Sequence, residues 1–160
     1  MYSSSLIISK NHLEQIYCHG LQTYPEECCG LLFGKLNQDN KKVLEIWETE
    51  NSWQNHEQTQ IISEYNQDAN KILSKKNRFA IAPETLFQAQ KYGRDKNIDI
   101  IGIYHSHPNY PAIPSEFDRA IAWSTYSYII ISVEEKKVSS ARSWILDDNH
   151  QFQPEQLLIV

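Results

Sequence analysis

The segment from Ile98 to Tyr104 constrains the fold most, because it is a nearly continuous apolar run of strand length. Such a strand is buried on both faces, so its sheet must be covered on both sides. The remaining apolar segments alternate between strand and helix patterns, and turn clusters of the kind that join hairpins separate them. These patterns predict an α/β fold of mixed, α+β-like character, in which helices pack on one sheet.

Local patterns also predict where the individual elements lie. A helix is expected to begin at Asn11, where Glu14 completes a capping-box pattern, and another at Pro83. A third helix is predicted from Ser115 to about Ser124. Strands are predicted over 6–8, 28–36, 41–49, 78–82, 98–104, 127–133, 138–146 and 157–160.

The length of 160 residues predicts one domain, over 1–160. Residues 50–77 differ from the rest, because asparagine, glutamine, serine, glutamate and lysine dominate them. A polar stretch of this length inside a compact domain is typical of a functional loop or an insertion. A short helix over about 63–74 is one expectation within it.

Charge and hydropathy exclude several classes of partner. The net charge of -5 disfavours nucleic acid, because phosphate binding needs a basic face. No run of about 18 apolar residues is present, and the first residues lack a basic leader, so we expect a cytoplasmic protein with no membrane partner. The three cysteines Cys18, Cys28 and Cys29 are expected to be reduced, and the adjacent pair is more typical of small buried apolar residues than of a metal or redox site.

The chemistry is concentrated where the apolar strand ends, at His105-Ser106-His107, with Asp118 following His107. Alternate side chains of an extended backbone point the same way, so the two histidines should face one point. Two imidazoles and a carboxylate can hold a catalytic zinc ion, with water in the fourth position. Such a water has a pKa of about 7 and supplies hydroxide at neutral pH.

Each part of this pattern has a simpler interpretation. Ser115 and Asp118 have the spacing of a capping box, and an aspartate is favourable in a helix first turn without any metal. His-x-His is common in surface strands and turns. The joint pattern is more specific than either part, because both histidines end a buried strand, where α/β proteins build their sites.

A zinc hydrolase also needs a proton shuttle. Glu27 lies at the entry to the apolar strand predicted over 28–36, and its neighbour Glu26 competes for the role. The residue types alone do not distinguish the two.

The segments Gly102-Ile103-Tyr104-His105-Ser106-His107-Pro108 and Ser115-Glu116-Phe117-Asp118 resemble the JAMM motif of the MPN+ metalloproteases. Upstream, Glu27-Cys28-Cys29-Gly30-Leu31-Leu32 is similar to the part of the motif in which a glutamate lies three residues before a glycine. This resemblance selects Glu27 over Glu26. The stretch 78–84 is similar to the segment before the family's central helix.

The resemblance implies a central, mixed, largely antiparallel curved sheet flanked by helices, with a cytidine-deaminase-like architecture. It implies one zinc ion per chain, held by His105, His107 and Asp118 together with a water. Glu27 would serve as base and then acid, and Ser115 would donate a hydrogen bond to the oxyanion. Ser106 would only orient the ligands.

The implied activity is hydrolysis of a peptide or isopeptide bond after the Gly-Gly tail of a ubiquitin-like or sulfur-carrier protein. Residues 50–77 are then a candidate for the lip of the groove that binds this tail. Alternatives are a non-catalytic scaffold of the same fold and a zinc hydrolase that acts on a small amide. A nucleoside deaminase is disfavoured, because the later Pro-Cys-x-x-Cys of those enzymes is absent. The oligomeric state, a homodimer included, is left open.

Overall fold

The structure is a computed structural model that describes residues 4–54 and 72–160. This part of the chain contains seven strands and three helices. In chain order they are β1 (Ser5–Ile8), α1 (Lys10–Thr23), β2 (Cys29–Asn37), β3 (Asn40–Thr49), α2 (Pro83–Lys96), β4 (Asp99–Pro108), α3 (Glu116–Ile121), β5 (Ser127–Glu134), β6 (Lys137–Leu146) and β7 (Phe152–Ile159). None of the described helices is long and apolar enough to span a membrane.

The strands form a closed barrel in the order β1-β3-β2-β4-β5-β6-β7. Four neighbouring pairs are antiparallel, and the pairs β1–β3, β1–β7 and β4–β5 are parallel. The prediction of a mixed sheet with helices is therefore confirmed. The expectation of a curved sheet is corrected, because β1 pairs with β3 on one side and β7 on the other, and this closes the sheet and leaves it no free edge.

Strand β4 lies at the centre of the packing, as its apolar sequence predicts. On one side, Tyr104 joins a buried cluster that includes Leu13 and Ile16 of α1. On the other side, Ile103 joins a second cluster that includes Ala89 of α2. Helices thus cover β4 from both sides, and burial of this kind contributes roughly 25 cal/mol for each Å² of apolar surface removed from water.

Several predicted elements have different ends. Helix α1 begins after Ser9, whose hydroxyl accepts a hydrogen bond from the N–H of His12, so Ser9 and not Asn11 is the N-cap. Helix α3 stops at Ile121, short of Ser124. The N–H of Trp123 donates to the Tyr128 hydroxyl instead of continuing the helix.

The strand predicted over 78–82 is wrong. This segment makes no ladder, because the N–H of Ala80 donates to the side chain of Asn51 and its carbonyl accepts from the N–H of Ser52. Strand β4 runs on through His105 and His107 to Pro108, and the last strand begins earlier than predicted, at Phe152. The helix proposed over 63–74 lies largely outside the described residues.

Candidate metal centre

The two histidines lie near the C-terminal end of strand β4, which stays extended there because it is paired with β5. His105 is opposite Ile130 and His107 is opposite Ser132 in the parallel ladder. Both imidazoles are buried, and their Nε2 atoms are 3.1 Å apart. The alternation of an extended strand therefore directs both rings to one point, as the sequence predicts.

Asp118 reaches the same point from the first turn of α3. Its Oδ1 lies 3.3 Å from Nε2 of His105, and its Oδ2 lies 3.1 Å from Nε2 of His107. The same carboxylate accepts a 2.9 Å hydrogen bond from the N–H of Ser115, whose hydroxyl accepts one of 3.0 Å from the N–H of Asp118. The capping-box interpretation is thus confirmed, and the same cap orients the carboxylate toward the histidines, as a ligand role for Asp118 would need.

Glu27 joins the cluster from the entry to β2, where the β2–β4 pairing sets Cys29 opposite His105. Its side chain is buried, and a carboxylate oxygen and one nitrogen from each histidine lie within 4.8 Å of one another. Glu26, the competing carboxylate, is exposed. The structure therefore brings Glu27, His105, His107 and Asp118 together and leaves Glu26 outside.

Hydrogen bonds determine how the histidine rings are presented. Nδ1 of His107 lies 2.8 Å from the carbonyl oxygen of Pro111, so this nitrogen must carry the proton. In the neutral ring, Nε2 then directs a lone pair at the Asp118 carboxylate. The ring of His105 stacks on Phe79 with 4.4 Å between centroids, which holds it in place. Its Nδ1 is buried and has no hydrogen-bond partner among the described residues.

The charges of the cluster match what a metal ion needs. Burial lowers the pKa of His105 and keeps that imidazole neutral, although Asp118 opposes the shift. Burial alone would raise the pKa of Asp118, but the two adjacent imidazoles hold it well below its ordinary value. The result is a carboxylate beside a neutral His105 ring, and these are the protonation states in which the two side chains bind metal.

The spacing of the donor atoms gives an independent test of fit. Ligands about 2.0–2.1 Å from a tetrahedral zinc ion lie about 3.3–3.4 Å from one another. The three distances here are 3.1, 3.1 and 3.3 Å. Because Nδ1 of His107 donates to Pro111, a neutral His107 ring turns a lone pair toward the Asp118 carboxylate, and a bound cation relieves this contact. The residues present therefore fit a zinc ion.

Three further residues support the site. The sequence predicted an orienting role for Ser106 and no role for Asn51 or Arg78. The Ser106 hydroxyl accepts a 2.7 Å hydrogen bond from the N–H of Cys28, next to Glu27. The Asn51 amide donates to the carbonyls of Glu27 and Arg78. Only the resemblance of segment 78–84 points to Arg78. No local pattern marks Asn51, since its hydrogen bonds join distant parts of the chain.

A cavity of about 240 Å³ opens beside the cluster. Glu27, His107 and Ser115 line one part of it, and the consecutive residues 76–78 line another. Tyr110 is more than half exposed at its rim. A substrate that enters this cavity meets the buried carboxylate, the histidine and the serine together.

Comparison with known proteins identifies relatives over nearly the whole chain. Residues 9–147 match the family described as prokaryotic homologs of the JAB domain. The desampylase of Pyrococcus furiosus is 26% identical over 156 residues, which cover 98% of this chain and 91% of that protein.

Two solved structures share the fold. A protein from Desulfitobacterium hafniense, solved in solution, has a TM-score of 0.76 and 25% identity, and the match covers 97% of this chain and 92% of that one. A Salinibacter ruber protein, also solved in solution, has a TM-score of 0.65 and 24% identity, with coverage of 96% and 90%.

Proposed function

Because the chain belongs to the family of prokaryotic homologs of the JAB domain, we propose that it is a zinc-dependent metallopeptidase acting on peptide or isopeptide bonds. This membership confirms the resemblance to the JAMM/MPN+ family. The observation that carries the proposal is the convergence of His105, His107 and Asp118, whose donor atoms lie 3.1–3.3 Å apart beside the buried Glu27.

His105, His107 and Asp118 would hold one zinc ion and leave its fourth position open to the cavity. When bound there, zinc lowers the pKa of water to about 7 and polarises a carbonyl group as a Lewis acid. The hydrogen bond of His107 to Pro111 keeps its Nε2 available as a ligand, which is the usual role of such an outer partner.

Glu27 is the proposed proton shuttle. Its carboxylate would accept a proton from the attacking water and then deliver that proton to the nitrogen of the leaving amine. The backbone on both sides of this group is held, because its N–H donates to the carbonyl of Lys75 over 2.7 Å and its carbonyl accepts from Asn51 over 3.1 Å. A shuttle needs such support, since proton transfer requires hydrogen-bond distances in both steps.

Ser115 is the proposed oxyanion donor. Its oxygen accepts the N–H of Asp118 as the helix cap, which uses a lone pair and leaves the hydroxyl proton available. Ser115 lines the cavity together with Glu27, so the proton can reach a substrate oxygen there. Loss of one such donor typically lowers the rate by roughly 10²–10³.

One relative and the cavity support the proposed substrate class. The Pyrococcus furiosus relative is a desampylase, which supports a ubiquitin-like protein as the substrate of this chain also. A tail that ends in Gly-Gly suits a site of this kind, because glycine lets the backbone approach buried residues closely. We therefore place the scissile bond after such a tail, in a ubiquitin-like or sulfur-carrier protein.

The test is cleavage of a ubiquitin-like protein joined through its Gly-Gly terminus to a lysine side chain, with zinc content measured on the same samples. The wild type is expected to hold one zinc ion per chain and to cleave. His107→Ala should lose both properties, and Glu27→Gln should keep zinc but lose cleavage. Glu26→Gln is the matched control, because its carboxylate is exposed, and it should behave as wild type. A zinc-loaded wild type that cleaves neither this substrate nor a linear fusion would instead favour the scaffold alternative.

A further inference from the structure

Arg78 is an unusual feature of the cavity wall, because its side chain is buried although one of its N–H donors has no acceptor among the described residues. Only 7% of the residue is exposed, and its guanidinium lies over the ring of Phe117 at 4.8 Å. Nη1 donates to the carbonyl of Asn77, but the buried Nε has no hydrogen-bond partner among the described residues. A buried N–H group without a partner is costly, so a purely structural arginine would have its donors filled.

The surroundings of Arg78 indicate what could fill them. Arg78 lines the cavity with Glu27, His107 and Ser115, and it interacts electrostatically with both Glu27 and Asp118. A bound divalent ion would balance the charge of these two carboxyl groups. The charge of Arg78 would then be left for an anion in the cavity.

Hydrolysis of an amide after a Gly-Gly tail produces such an anion at this place. Water adds to the carbonyl carbon, the carbon–nitrogen bond breaks, and the products are a terminal carboxylate and a protonated amine. The guanidinium group presents a planar fork of donors that matches a carboxylate, and such pairs are stronger than neutral hydrogen bonds.

We propose that Arg78 is the binding residue for the carboxylate end of the Gly-Gly tail, which it holds in the cavity beside the metal ligands. This inference rests on the proposed function, because that reaction supplies the carboxylate. Arg78 thereby distinguishes the cleaved tail from a neutral one and makes the free tail an inhibitor of the enzyme. Asn51, which donates 2.9 Å to the carbonyl of Arg78, fixes the segment from which the arginine projects.

The experiment compares two synthetic peptides of the same sequence. One ends in Gly-Gly with a free carboxylate, and in the other the last glycine is replaced by glycinol. The second peptide ends in a neutral hydroxyl group and has no bond after a Gly-Gly pair for the enzyme to cleave. Dissociation constants are measured by calorimetry on zinc-loaded protein, so any contribution of the ion is common to all variants. Arg78→Gln should weaken the affinity for the carboxylate peptide about 10- to 100-fold, since hydrogen bonds to charged groups are of that strength. The affinity for the glycinol peptide should fall less than about threefold.

Two further variants complete the design. Lys76→Gln should change the affinity for either peptide less than about threefold, because the charge of Lys76 is exposed. Arg78→Lys keeps a positive charge but loses the planar fork of donors. It should weaken the affinity for the carboxylate peptide severalfold and change the affinity for the glycinol peptide little. If Arg78→Gln does not fold, the same comparison on Arg78→Lys decides. Equal weakening of both peptides would overturn the proposal.

The outcomes for this inference and for the proposed function are separate. A wild type that cleaves its substrate but shows no preference for the carboxylate peptide removes the role of Arg78 alone. A wild type that cleaves nothing, yet binds the carboxylate peptide in a manner that depends on Arg78, removes the catalytic proposal and leaves the binding site.

Discussion

The hydroxyl of Ser106 accepts a 2.7 Å hydrogen bond from the backbone N–H of Cys28, which belongs to the segment that carries the candidate proton shuttle. The bond is fully buried, and the N–H of Ser106 donates back to the carbonyl of Cys28 over 3.1 Å. The residue between the two candidate histidine ligands is thus tied to the neighbour of Glu27. This relationship fixes the distance between the candidate metal ligands and the candidate shuttle.

Ser106→Ala should therefore affect both stability and catalysis. The change leaves a buried N–H without its partner, which costs about 1–3 kcal/mol of the free energy of unfolding. We expect the rate of cleavage to fall while zinc content stays at the wild-type level, because His105 and His107 keep their own contacts. Denaturant unfolding and single-turnover cleavage measure the two effects. Ser139→Ala is the control, since that serine is exposed, and an equal loss in both variants would contradict the role of Ser106.

Asn51→Asp should be more damaging than its size suggests. The amide nitrogen donates to the carbonyls of Glu27 and Arg78, while the amide oxygen accepts from the N–H groups of Trp53 and Ala80. Aspartate keeps the two accepted bonds but turns an oxygen toward two buried carbonyls, each of which loses a donor at a cost of about 1–3 kcal/mol.

Thermal unfolding and cleavage rates measure the effect of Asn51→Asp. Asn149→Asp makes the same chemical change at an exposed position and should leave both quantities nearly unchanged. A wild-type melting temperature in Asn51→Asp would show that this network contributes little.

The parts of the site that could be predicted from sequence are those that depend on local geometry. His105 and His107 converge because alternate residues of one strand share a face, and Asp118 follows because a capping box orients its carboxylate. The apolar run over 98–104 likewise predicts a strand that is covered on both sides, since it has the length of a strand and both of its faces are apolar.

The features that escaped prediction depend on contacts between distant residues. Closure of the barrel requires β1 to pair in parallel with β3 and β7, and no local pattern specifies such a partner. The segment 78–82 has the composition of a strand, yet Asn51 and Ser52 take its hydrogen bonds. Residue types alone also left Glu26 and Glu27 equivalent, because the difference arises from the register of β2 against β4.

The cysteines provide a test of burial that is independent of activity. Burial raises the pKa of the Cys28 and Cys29 thiols to about 12, whereas Cys18 is exposed on α1. Because the thiolate is the reactive form, the folded protein should be alkylated by iodoacetamide at pH 8 on Cys18 alone. Mass spectrometry should find one label in buffer and three in denaturant. Labelling of Cys28 or Cys29 at the rate of Cys18 in buffer would contradict the packing of β2.

The observed role of Asp118 as part of a helix cap can be separated from its proposed role as a metal ligand. Asparagine at this position keeps a side-chain oxygen for the N–H of Ser115, so Asp118→Asn should preserve the cap. It also removes the buried charge that the two adjacent imidazoles stabilise, so we expect the free energy of unfolding of the metal-free protein to fall by about 1.5–3 kcal/mol. Wild-type protein should gain about 2.7 kcal/mol when free zinc is 100 times its dissociation constant, and Asp118→Asn should lose this gain.

Ser115→Ala should keep the response to zinc that Asp118→Asn loses. It removes the oxygen that accepts the N–H of Asp118, which costs about 0.5–2 kcal/mol without metal, but it leaves the three donor atoms in place. Its stability should therefore still rise with zinc. Denaturant titrations with a chelator and with zinc measure, for each variant, the free energy of unfolding without metal and its increase with zinc. If Asp118→Asn gains as much from zinc as the wild type, the carboxylate is a helix cap only, and the ligand set must be completed by Glu27, which lies within reach of both histidines.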